Sequence, residues 1–359
     1  MMRLKSGRAD GVTARIPVLA MVATFVVLAI IPLFEQAYAV GEWTFALAFG
    51  IAAVGLNMLI AEGGLVSLGH NAFVAFGAYA TADLAARHLA YWESFLLVAV
   101  MALVLGWVIG APVVKLGHLN FALVTIGAGF VAPTLALRLV SVTGGANGEA
   151  LPALNAPGWS GLTPAAWLYY VGLAVLLACV LVAVGLRRSQ AGRALRAQRD
   201  NEVAAEAFGV QLWRIRCGIF ALSVMMAGLA GWLWGITSSF VAPDSFDVTL
   251  SISLLAGVVM GGLGFAMTAI VAGIFVEFVP TWSSSISPAF DGLVEGVIIV
   301  VIMLVARQGL LGLLKNLYDK LTGLGWRETP VPVAAAPATA PTSAAGELPR
   351  PSMAPQEPT

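Results

Sequence analysis

Charged residues are scarce in this sequence: only 11% of its 359 residues are Asp, Glu, Lys or Arg, with 19 basic and 19 acidic side chains. A soluble domain carries about 25% charged residues. The 59% of residues that are hydrophobic and the mean hydropathy of +0.90 leave too few polar side chains to cover a water-facing surface. The composition therefore excludes a soluble enzyme, a disordered regulator and a nucleic-acid-binding domain with a basic face.

Residue types that carry chemistry are also rare. The two cysteines, Cys179 and Cys217, lie in or beside apolar runs, where a thiol packs as a small hydrophobic group. None of the four lysines lies in a GxxxxGK[ST] loop, so the sequence lacks the P-loop that binds ATP. The three histidines have no metal-ligand spacing, and no GxSxG or GxGxxG motif occurs. We therefore expect no catalytic residue, no metal site and a conduit or scaffold rather than an enzyme.

Long hydrophobic runs fill most of the chain. A transmembrane helix needs about 20 mostly apolar residues, and ten runs approach or reach this length. We expect an all-α polytopic membrane protein with about ten transmembrane helices, of which those at 64–85 and 266–281 are broken or re-entrant. The runs cover residues 16–34, 43–61, 64–85, 95–114, 119–142, 167–186, 214–236, 246–263, 266–281 and 292–306.

The first hydrophobic run follows four basic residues and precedes Ala37-Tyr38-Ala39, which imitates a signal-peptide cleavage site. The apolar core of a signal peptide is about 7–15 residues long. Because this run is longer, we expect it to remain as an uncleaved first helix.

Basic residues are concentrated in alternate connections between the runs. If the N-terminus is cytoplasmic, ten spans place every Lys and Arg except Arg87 and Arg138 on the inner side. The positive-inside rule favours this arrangement, so we expect the N-in and C-in orientation. The inner basic residues lie at Arg3, Lys5, Arg8, Arg15, Lys115, 187–216 and from Arg307 onward, and the outer loops carry Glu35, Glu42, Glu93, Glu149, Asp244, Asp247 and Asp291.

The connections divide the chain into three parts. We expect a cytoplasmic N-terminal segment (1–15), a transmembrane domain (16–327) and a disordered, Pro/Ala-rich cytoplasmic tail (328–359). Within the transmembrane domain, the loop 143–166 has no basic residue and many Gly and Pro residues, which is typical of an irregular outer loop. The other long connection, 187–213, is polar, basic and free of proline, which predicts a short cytoplasmic helical element.

Polar residues inside a membrane cost free energy unless they are paired or face water. The densest group lies at 55–79, where Gly63, Gly64 and Gly69 are able to interrupt a helix. Two interpretations stay open: a discontinuous helix that lines the translocation path, or structural hydrogen bonds between neighbouring helices. The candidate pathway residues are Asn57, Glu62, Gly63, Gly64, Ser67, His70, Asn71 and Tyr79.

Five short motifs follow one another along the chain. They are GLNMLIAEGGLVSLGHNAFVAFGAY at 55–79, TGGANG at 143–148, RALRAQRDNEVAAEAFG at 193–209, the glycine-rich residues 255–264, and QGLLG at 308–312. In this order they resemble the GLN, SLGH and GAY signature, the outer-loop TGG motif, the cytoplasmic segment, the GGLG element and the C-terminal ending of the LivM/LivH permeases of branched-chain amino-acid ABC importers. In the last motif a glutamine stands in place of the family's usual residue. The length and the TGG loop resemble the M-type subunit more than the shorter H-type.

The resemblance implies a division of labour among several chains. It implies a permease subunit of the bacterial inner membrane with no cofactor of its own. Its partners are a LivH-like second permease subunit, two cytoplasmic subunits that bind ATP and Mg, a periplasmic solute-binding protein and membrane lipid. The expected solutes are branched-chain or other hydrophobic amino acids, although related permeases carry urea, amides or aromatic acids. The outer-loop residues that the resemblance implies are Thr143, Gly144, Gly145, Asn147 and Gly148.

The resemblance also implies a coupling role for 187–213. ABC permeases present a short cytoplasmic helix to a groove on the ATPase, often with the pattern EAAxxxG. The closest match is EVAAEAFG from Glu202 to Gly209, with one residue inserted between the acid and the two alanines. The small alanines would permit close approach, and the glycine would end the helix. The candidate ATPase-coupling residues are Arg193, Arg196, Arg199, Glu202, Ala204, Ala205, Glu206 and Gly209.

Two other classes of function stay open. A secondary transporter or channel that works alone would need a carboxylate at mid-membrane, for which Glu62 is the nearest candidate. A membrane enzyme or assembly scaffold is disfavoured because no catalytic spacing is present.

Overall fold

A computed structural model of the chain describes residues 16–300, except for 153, 155, 159, 210, 265–266, 287–295 and 299. The chain divides into two compact units, 1–314 and 315–359, and all of the described residues belong to the first. The N-terminal segment 1–15, most of the tenth hydrophobic run, the QGLLG motif and the tail 328–359 lie outside the described residues.

Helices make up most of the described residues. Apolar runs fold as helices in a membrane because each backbone N–H and C=O must find a partner within its own segment. The helices are α1 (Ile16–Ile30), α2 (Ala37–Gly63), α3 (His70–Ala86), α4 (Tyr91–Val113), α5 (His118–Arg138), α6 (Pro164–Arg188), α7 (Gln190–Asp200), α8 (Glu202–Ala207), α9 (Leu212–Ser238), α10 (Val248–Gly261) and α11 (Thr268–Ile286). Short helical turns lie at Ile31–Leu33, Val140–Thr143, Gly145–Asn147 and Pro243–Phe246, and two short strands are β1 (Glu149–Ala150) and β2 (Phe240–Val241).

Six helical stretches in the described residues are long and apolar enough to cross a membrane. The chain is therefore a mostly helical, multi-pass membrane protein. Two shorter apolar helices lie at Met21–Leu33 and Thr268–Ser283. The six long stretches are Ala37–Gly63, Tyr91–Val113, Leu119–Arg138, Pro164–Arg188, Leu212–Ser238 and Pro243–Gly261.

Helices α2 and α9 form the centre of the bundle. In their most apolar windows 89% and 83% of the residues are buried, against 28% in α4 and 22% in α5. Where α2 meets α9, a Cβ on Gly55 would lie 2.8 Å from the Ser223 carbonyl oxygen, and a Cβ on Gly231 of α9 would collide with the Val74 carbonyl oxygen of α3. Small residues therefore let three helix backbones touch, which is the packing that holds helices together in lipid.

The run at 64–85 is broken, as expected. Helix α2 ends at Gly63, Gly64 adopts a left-handed conformation with φ of 68°, and α3 begins only at His70. The non-helical backbone between them is covered by protein, since the Leu68 N–H donates to Thr125 Oγ1 of α5 at 3.1 Å. Such cover is what irregular backbone needs at membrane depth.

For the run at 266–281 the prediction of a broken helix is wrong, whereas the alternative of a re-entrant segment stays a prediction. Helix α11 runs without a break from Thr268 to Ile286 and contains Pro280. The apolar run looks short because Glu277 and Thr281 end the hydrophobic pattern, whereas the helical backbone continues past them.

The bundle has two ends of different chemistry, which we name the basic end and the loop end. At the basic end, α2 and α6 finish beside α7, α8 and the start of α9, because Glu62 pairs with Arg187 and Glu202 pairs with Arg216. At the loop end, β1 and β2 pair in antiparallel fashion. This pairing fastens the long loop after α5 to the connection between α9 and α10.

Candidate functional site

The first candidate site is the ionic cluster at the basic end, formed by Glu62, Arg187 and Arg196. The Glu62 side chain is 5% exposed, and its two oxygens accept from Arg187 Nε at 3.2 Å and from Arg196 Nη1 at 2.6 Å. Glu62 lies at the end of α2, Arg187 at the end of α6 and Arg196 in α7. A single buried carboxylate therefore joins two transmembrane helices to the basic segment 187–213.

Backbone contacts reinforce the ionic cluster. The Arg199 guanidinium of α7 donates to the Ala61 carbonyl oxygen, and the stem of Arg199 lies against Gly64, where α2 ends. On the other side, Asn57 Oδ1 accepts from the Gly264 N–H at 3.0 Å. The end of α2 is thus held by α7 and by the turn that follows α10.

The second candidate site is the neutral cluster at the start of α3, formed by Ser67, His70, Asn71, Ser223 and Ser251. His70 is fully buried. Its Nδ1 lies 3.0 Å from Ser67 Oγ, and its Nε2 lies 3.0 Å from Ser223 Oγ of α9. A neutral imidazole offers one donor and one acceptor nitrogen, so it satisfies both hydroxyl contacts without a charge.

Asn71 uses all of its polar atoms. Its Nδ2 donates to the carbonyl oxygens of Gly129 and Phe246, each at 2.9 Å. Its Oδ1 accepts from Ser251 Oγ at 2.8 Å, and its own N–H donates to the same hydroxyl at 2.8 Å. These bonds connect α3 to α5, to the turn before α10 and to α10 itself. The geometry favours the structural interpretation of His70 and Asn71 over direct contact with a solute.

Tyr79 differs from the neutral cluster. Its hydroxyl is buried and has no hydrogen-bond partner among the described residues, and its ring centroid lies 6.2 Å from that of Phe246. A buried hydroxyl without a partner costs free energy. Among the predicted pathway residues, Tyr79 therefore has hydrogen-bonding capacity left for a polar solute.

The short helix α8 has one face toward the protein and one face away from it. Ala205 is 4% exposed and Glu202 pairs with Arg216 of α9, so this face packs on the bundle. On the outer face Val203 is 79% exposed, and Phe208, just after the helix, is 89% exposed. Exposed apolar side chains on a polar segment make this face a candidate for contact with another protein or with the membrane.

Some of the predicted coupling residues, on α7 and α8, contact the bundle, and the others are exposed. Those that contact the bundle are Arg196, Arg199, Glu202 and Ala205. Arg193 donates to the Arg188 carbonyl oxygen at 3.1 Å and stays exposed. The residues on the outer face are Ala204, Glu206 and Gly209.

Val203, Phe208 and Arg187 are functional candidates that sequence reasoning missed. The signal for the first two was present, because apolar residues are unexpected in a polar, basic connection. No sequence signal joins Arg187 to Glu62, since the contact depends on how α2 and α6 pack.

The outer-loop motif forms a tight turn at the loop end. The Thr143 hydroxyl donates to the Ala136 carbonyl oxygen at 2.5 Å and accepts from the Gly145 N–H at 3.2 Å. Gly144 has φ of 69°, and a Cβ there would collide with the Gly148 carbonyl oxygen. The motif therefore shapes the loop that leads into β1, and Asn147 lies within the same turn.

In the described ranges no group of three or more His, Cys, Asp or Glu residues is arranged to hold a metal ion. Cys179 and Cys217 are both free and buried, on α6 and α9 respectively.

Comparison with known proteins identifies relatives over most of the chain. A family described as "Branched-chain amino acid transport system / permease component" matches residues 39–305. The LivM permease protein of the high-affinity branched-chain amino acid transport system of Escherichia coli K12 is 30% identical over 326 residues, covering 84% of this chain and 76% of that protein. The LivH permease protein from the same strain is 23% identical over 289 residues, covering 75% and 92% of the two chains.

A more limited similarity extends to another transport system. The autoinducer 2 import system permease protein LsrC of Yersinia enterocolitica is 30% identical over 129 residues, covering 35% of this chain and 34% of that protein. No solved structure matches the chain significantly. The family match, which covers well over half of the chain, shows that this protein belongs to the permease components of branched-chain amino acid transport systems.

Proposed function

We propose that this chain is a permease subunit of an ATP-driven importer that moves branched-chain amino acids across the bacterial inner membrane. The LivM and LivH relatives are named as permeases of branched-chain amino acid transport, which supports this substrate class. The chain itself would provide the path for the solute and would hydrolyse nothing. ATP and Mg would be bound by partner subunits.

The topology that we propose has about ten spans with both termini in the cytoplasm. The gathering of Arg187, Arg196, Arg199 and Arg216 at one end supports this orientation, because cytoplasmic loops carry the excess of Lys and Arg. The basic end would then face the cytoplasm and the loop end the periplasm. The solute would enter past the loop 143–166.

The proposed assembly has several partners. LivM and LivH occur as separate permease proteins of one named transport system, which supports a heterodimer with a LivH-like subunit. Two cytoplasmic ATPases would dock at the basic end, and a periplasmic solute-binding protein would deliver the solute at the loop end.

The observation that carries the proposal is that the basic segment 187–213 has two different faces. Its outer face presents Val203 and Phe208, which a partner subunit would cover. Its inner face reaches the transmembrane helices through the Arg196–Glu62 ion pair and the Arg199–Ala61 hydrogen bond. Movement of a docked ATPase would pass through α7 to the end of α2 and then to the broken span. This is a mechanical route for alternating access, in which rigid elements move around a fixed site.

Substitution of Phe208 tests the proposed docking. We expect Phe208→Glu to abolish recovery of the ATPase subunits with the affinity-purified permease and to stop leucine uptake. The cause is a charge placed in an apolar contact, which costs several kcal/mol when it is desolvated. The amount of permease in the membrane is expected to be unchanged because the side chain is 89% exposed.

Gln190→Glu is the matched control, since it adds the same charge at an exposed residue of the basic end that is not among the candidate coupling residues. Normal co-purification and uptake by Phe208→Glu would overturn the docking assignment. Uptake by the purified chain without ATPases would instead indicate a transporter that works alone.

A further inference from the structure

A cavity of about 510 Å³ lies at the basic end between α2, α6 and α7. Its inner wall is apolar and is formed by side chains of two transmembrane helices, among them Val54, Met58, Val180 and Val184. Its rim is basic and is formed by Arg187, Arg188, Arg193 and Arg196 around the Glu62 carboxylate. The cavity therefore combines an apolar interior with a cationic opening.

The rim has more positive charge than its own residues neutralise. The two Glu62 oxygens are shared by Arg187 and Arg196. Arg188 and Arg193 pair with no carboxylate in the part of the chain that the structure describes, and Arg193 donates only to a backbone carbonyl oxygen. Four guanidinium groups thus face one carboxylate, so an anion is the complementary ligand.

The depth of the cavity indicates what kind of anion fits. From Val180 to Arg187 the wall follows two turns of α6, a rise of about 10 Å. A free phosphate would occupy only the rim and leave the apolar wall uncovered. A transported amino acid would need a carboxylate for its ammonium group, and both Glu62 oxygens are already engaged.

We propose that this cavity binds an anionic phospholipid of the cytoplasmic leaflet. Arg188 and Arg193 contact its phosphate, and the apolar wall takes the glycerol backbone and the first acyl carbons. Arginine forms paired hydrogen bonds to phosphate oxygens, and basic pockets between membrane helices on the cytoplasmic side suit anionic headgroups. The inference rests on the proposed orientation, which puts the basic end at the inner membrane surface.

Native mass spectrometry of the purified full chain tests this site. The protein is titrated with phosphatidylglycerol and, separately, with phosphatidylcholine of the same acyl chains. One basic residue near an anionic lipid contributes about fivefold in affinity. We therefore expect the double variant Arg188→Gln/Arg193→Gln to bind phosphatidylglycerol about 25-fold more weakly, with no change for phosphatidylcholine.

Two further variants separate the cavity from general surface charge and from misfolding. Arg214→Gln removes a guanidinium at the same end that packs on Trp213 outside the cavity, and it is expected to bind phosphatidylglycerol normally. Val184→Trp fills the apolar wall, keeps every charge and is expected to weaken phosphatidylglycerol binding as well.

Several results would overturn the proposal. Equal binding of phosphatidylglycerol by the wild type and the double variant would do so. Displacement of the lipid by equimolar inorganic phosphate would indicate a free-anion site, displacement by leucine would indicate a solute site, and displacement by the ATPase subunits would indicate a protein contact. Leucine uptake, measured separately in cells, reports on the proposed function, so its failure is distinguishable from failure of lipid binding.

Discussion

The ionic cluster and the neutral cluster each take a central residue, Glu62 and His70, from one short stretch of sequence, yet the two clusters differ in charge and in exposure to water. In the ionic cluster the carboxylate of Glu62 is buried, but the side chains of Arg187 and Arg196 are 51% and 33% exposed beside an open cavity. In the neutral cluster His70 and Asn71 are fully buried, and their partners are hydroxyl, amide and carbonyl groups without charge.

This difference assigns different mechanical roles to the two clusters. A fully buried network loses all of its hydrogen bonds at once when it opens, because no water is present to replace them. An ion pair whose guanidinium groups already touch water exchanges one set of partners for another at small cost. The neutral cluster is therefore suited to holding helices in place, and the ionic cluster to changing its pairing as the bundle moves.

Two glycine substitutions test this contrast, and one of them has the largest expected effect on stability. A Cβ on Gly69, beside the neutral cluster, would collide with the Thr125 carbonyl oxygen, whereas a Cβ on Gly64, beside the ionic cluster, would meet the flexible stem of Arg199. We expect Gly69→Ala to reduce the free energy of unfolding by about 3 kcal/mol or more, because backbone must move. Gly64→Ala is expected to reduce the free energy of unfolding by about 1–2 kcal/mol, because alanine disfavours the left-handed backbone conformation at this position.

Denaturant titration of the purified protein in detergent measures both losses. Gly185→Ala is the control, because it lies in α6 with open space where a Cβ would be added, and a helical alanine is expected to be neutral or slightly stabilising. Equal losses of unfolding free energy from Gly64→Ala and Gly69→Ala would show that the neutral cluster is no more rigid than the ionic cluster.

Removal of the Asn71 side-chain hydrogen bonds is expected to have the next largest effect. Asn71→Leu keeps the volume but removes the side-chain donor of two carbonyl oxygens and the side-chain acceptor of the Ser251 O–H. An interhelical hydrogen bond in a membrane is worth about 0.6–1.7 kcal/mol, so the expected loss of three such bonds is about 2–5 kcal/mol. Ser251→Ala removes one partner only and is expected to lose about 1 kcal/mol. Thermal unfolding measures both variants side by side. Equal stability of the two would contradict the proposed role of the neutral cluster in holding the helices in place.

A small effect on stability, similar to that of Ser251→Ala, is expected from Glu62→Gln. Removal of one partner from a fully buried ion pair costs about 3–5 kcal/mol, but here the two guanidinium groups are partly hydrated, and a loss of about 1 kcal/mol is expected. Leucine uptake in cells is nevertheless expected to fall about tenfold, which is typical of a lost coupling between sites.

Exchange of the charges provides the stricter test of Glu62. The double variant Glu62→Arg/Arg196→Glu is expected to recover part of the uptake that Glu62→Arg alone abolishes. Arg87→Gln is the control, because it breaks the exposed Asp83–Arg87 pair at the loop end, where an ion pair contributes little. Unchanged uptake by Glu62→Gln would show that the ionic cluster transmits nothing.

The sequence predicted the break in the third hydrophobic run and the gathering of basic residues at one end, since both depend on local composition. It grouped Glu62 with His70 because they are near neighbours in the chain. In the structure their partners differ: Glu62 pairs with Arg187 and Arg196, whereas His70 contacts Ser67 and Ser223.

Long-range pairings were beyond the reach of sequence reasoning. Glu62 and Arg196 are 134 residues apart, and their contact requires α2 and α6 to end side by side. Likewise, the exposure of Phe208 follows from the way α8 lies on α9 through Glu202 and Arg216. The residue types were visible in each case, but their neighbours are set by tertiary packing.

The close glycine contacts among α2, α3 and α9 give the bundle the properties of a lever. At Gly55 and Gly231 backbone lies directly against backbone, so at these two contacts no side chain separates the helices and absorbs a displacement. Helix α2 has 27 residues, about 40 Å in length. A tilt of roughly 5° at its Glu62 end sweeps its opposite end by about 3–4 Å. A push of a fraction of an ångström at one membrane surface would thus be enlarged at the other, with no separate signal needed between them.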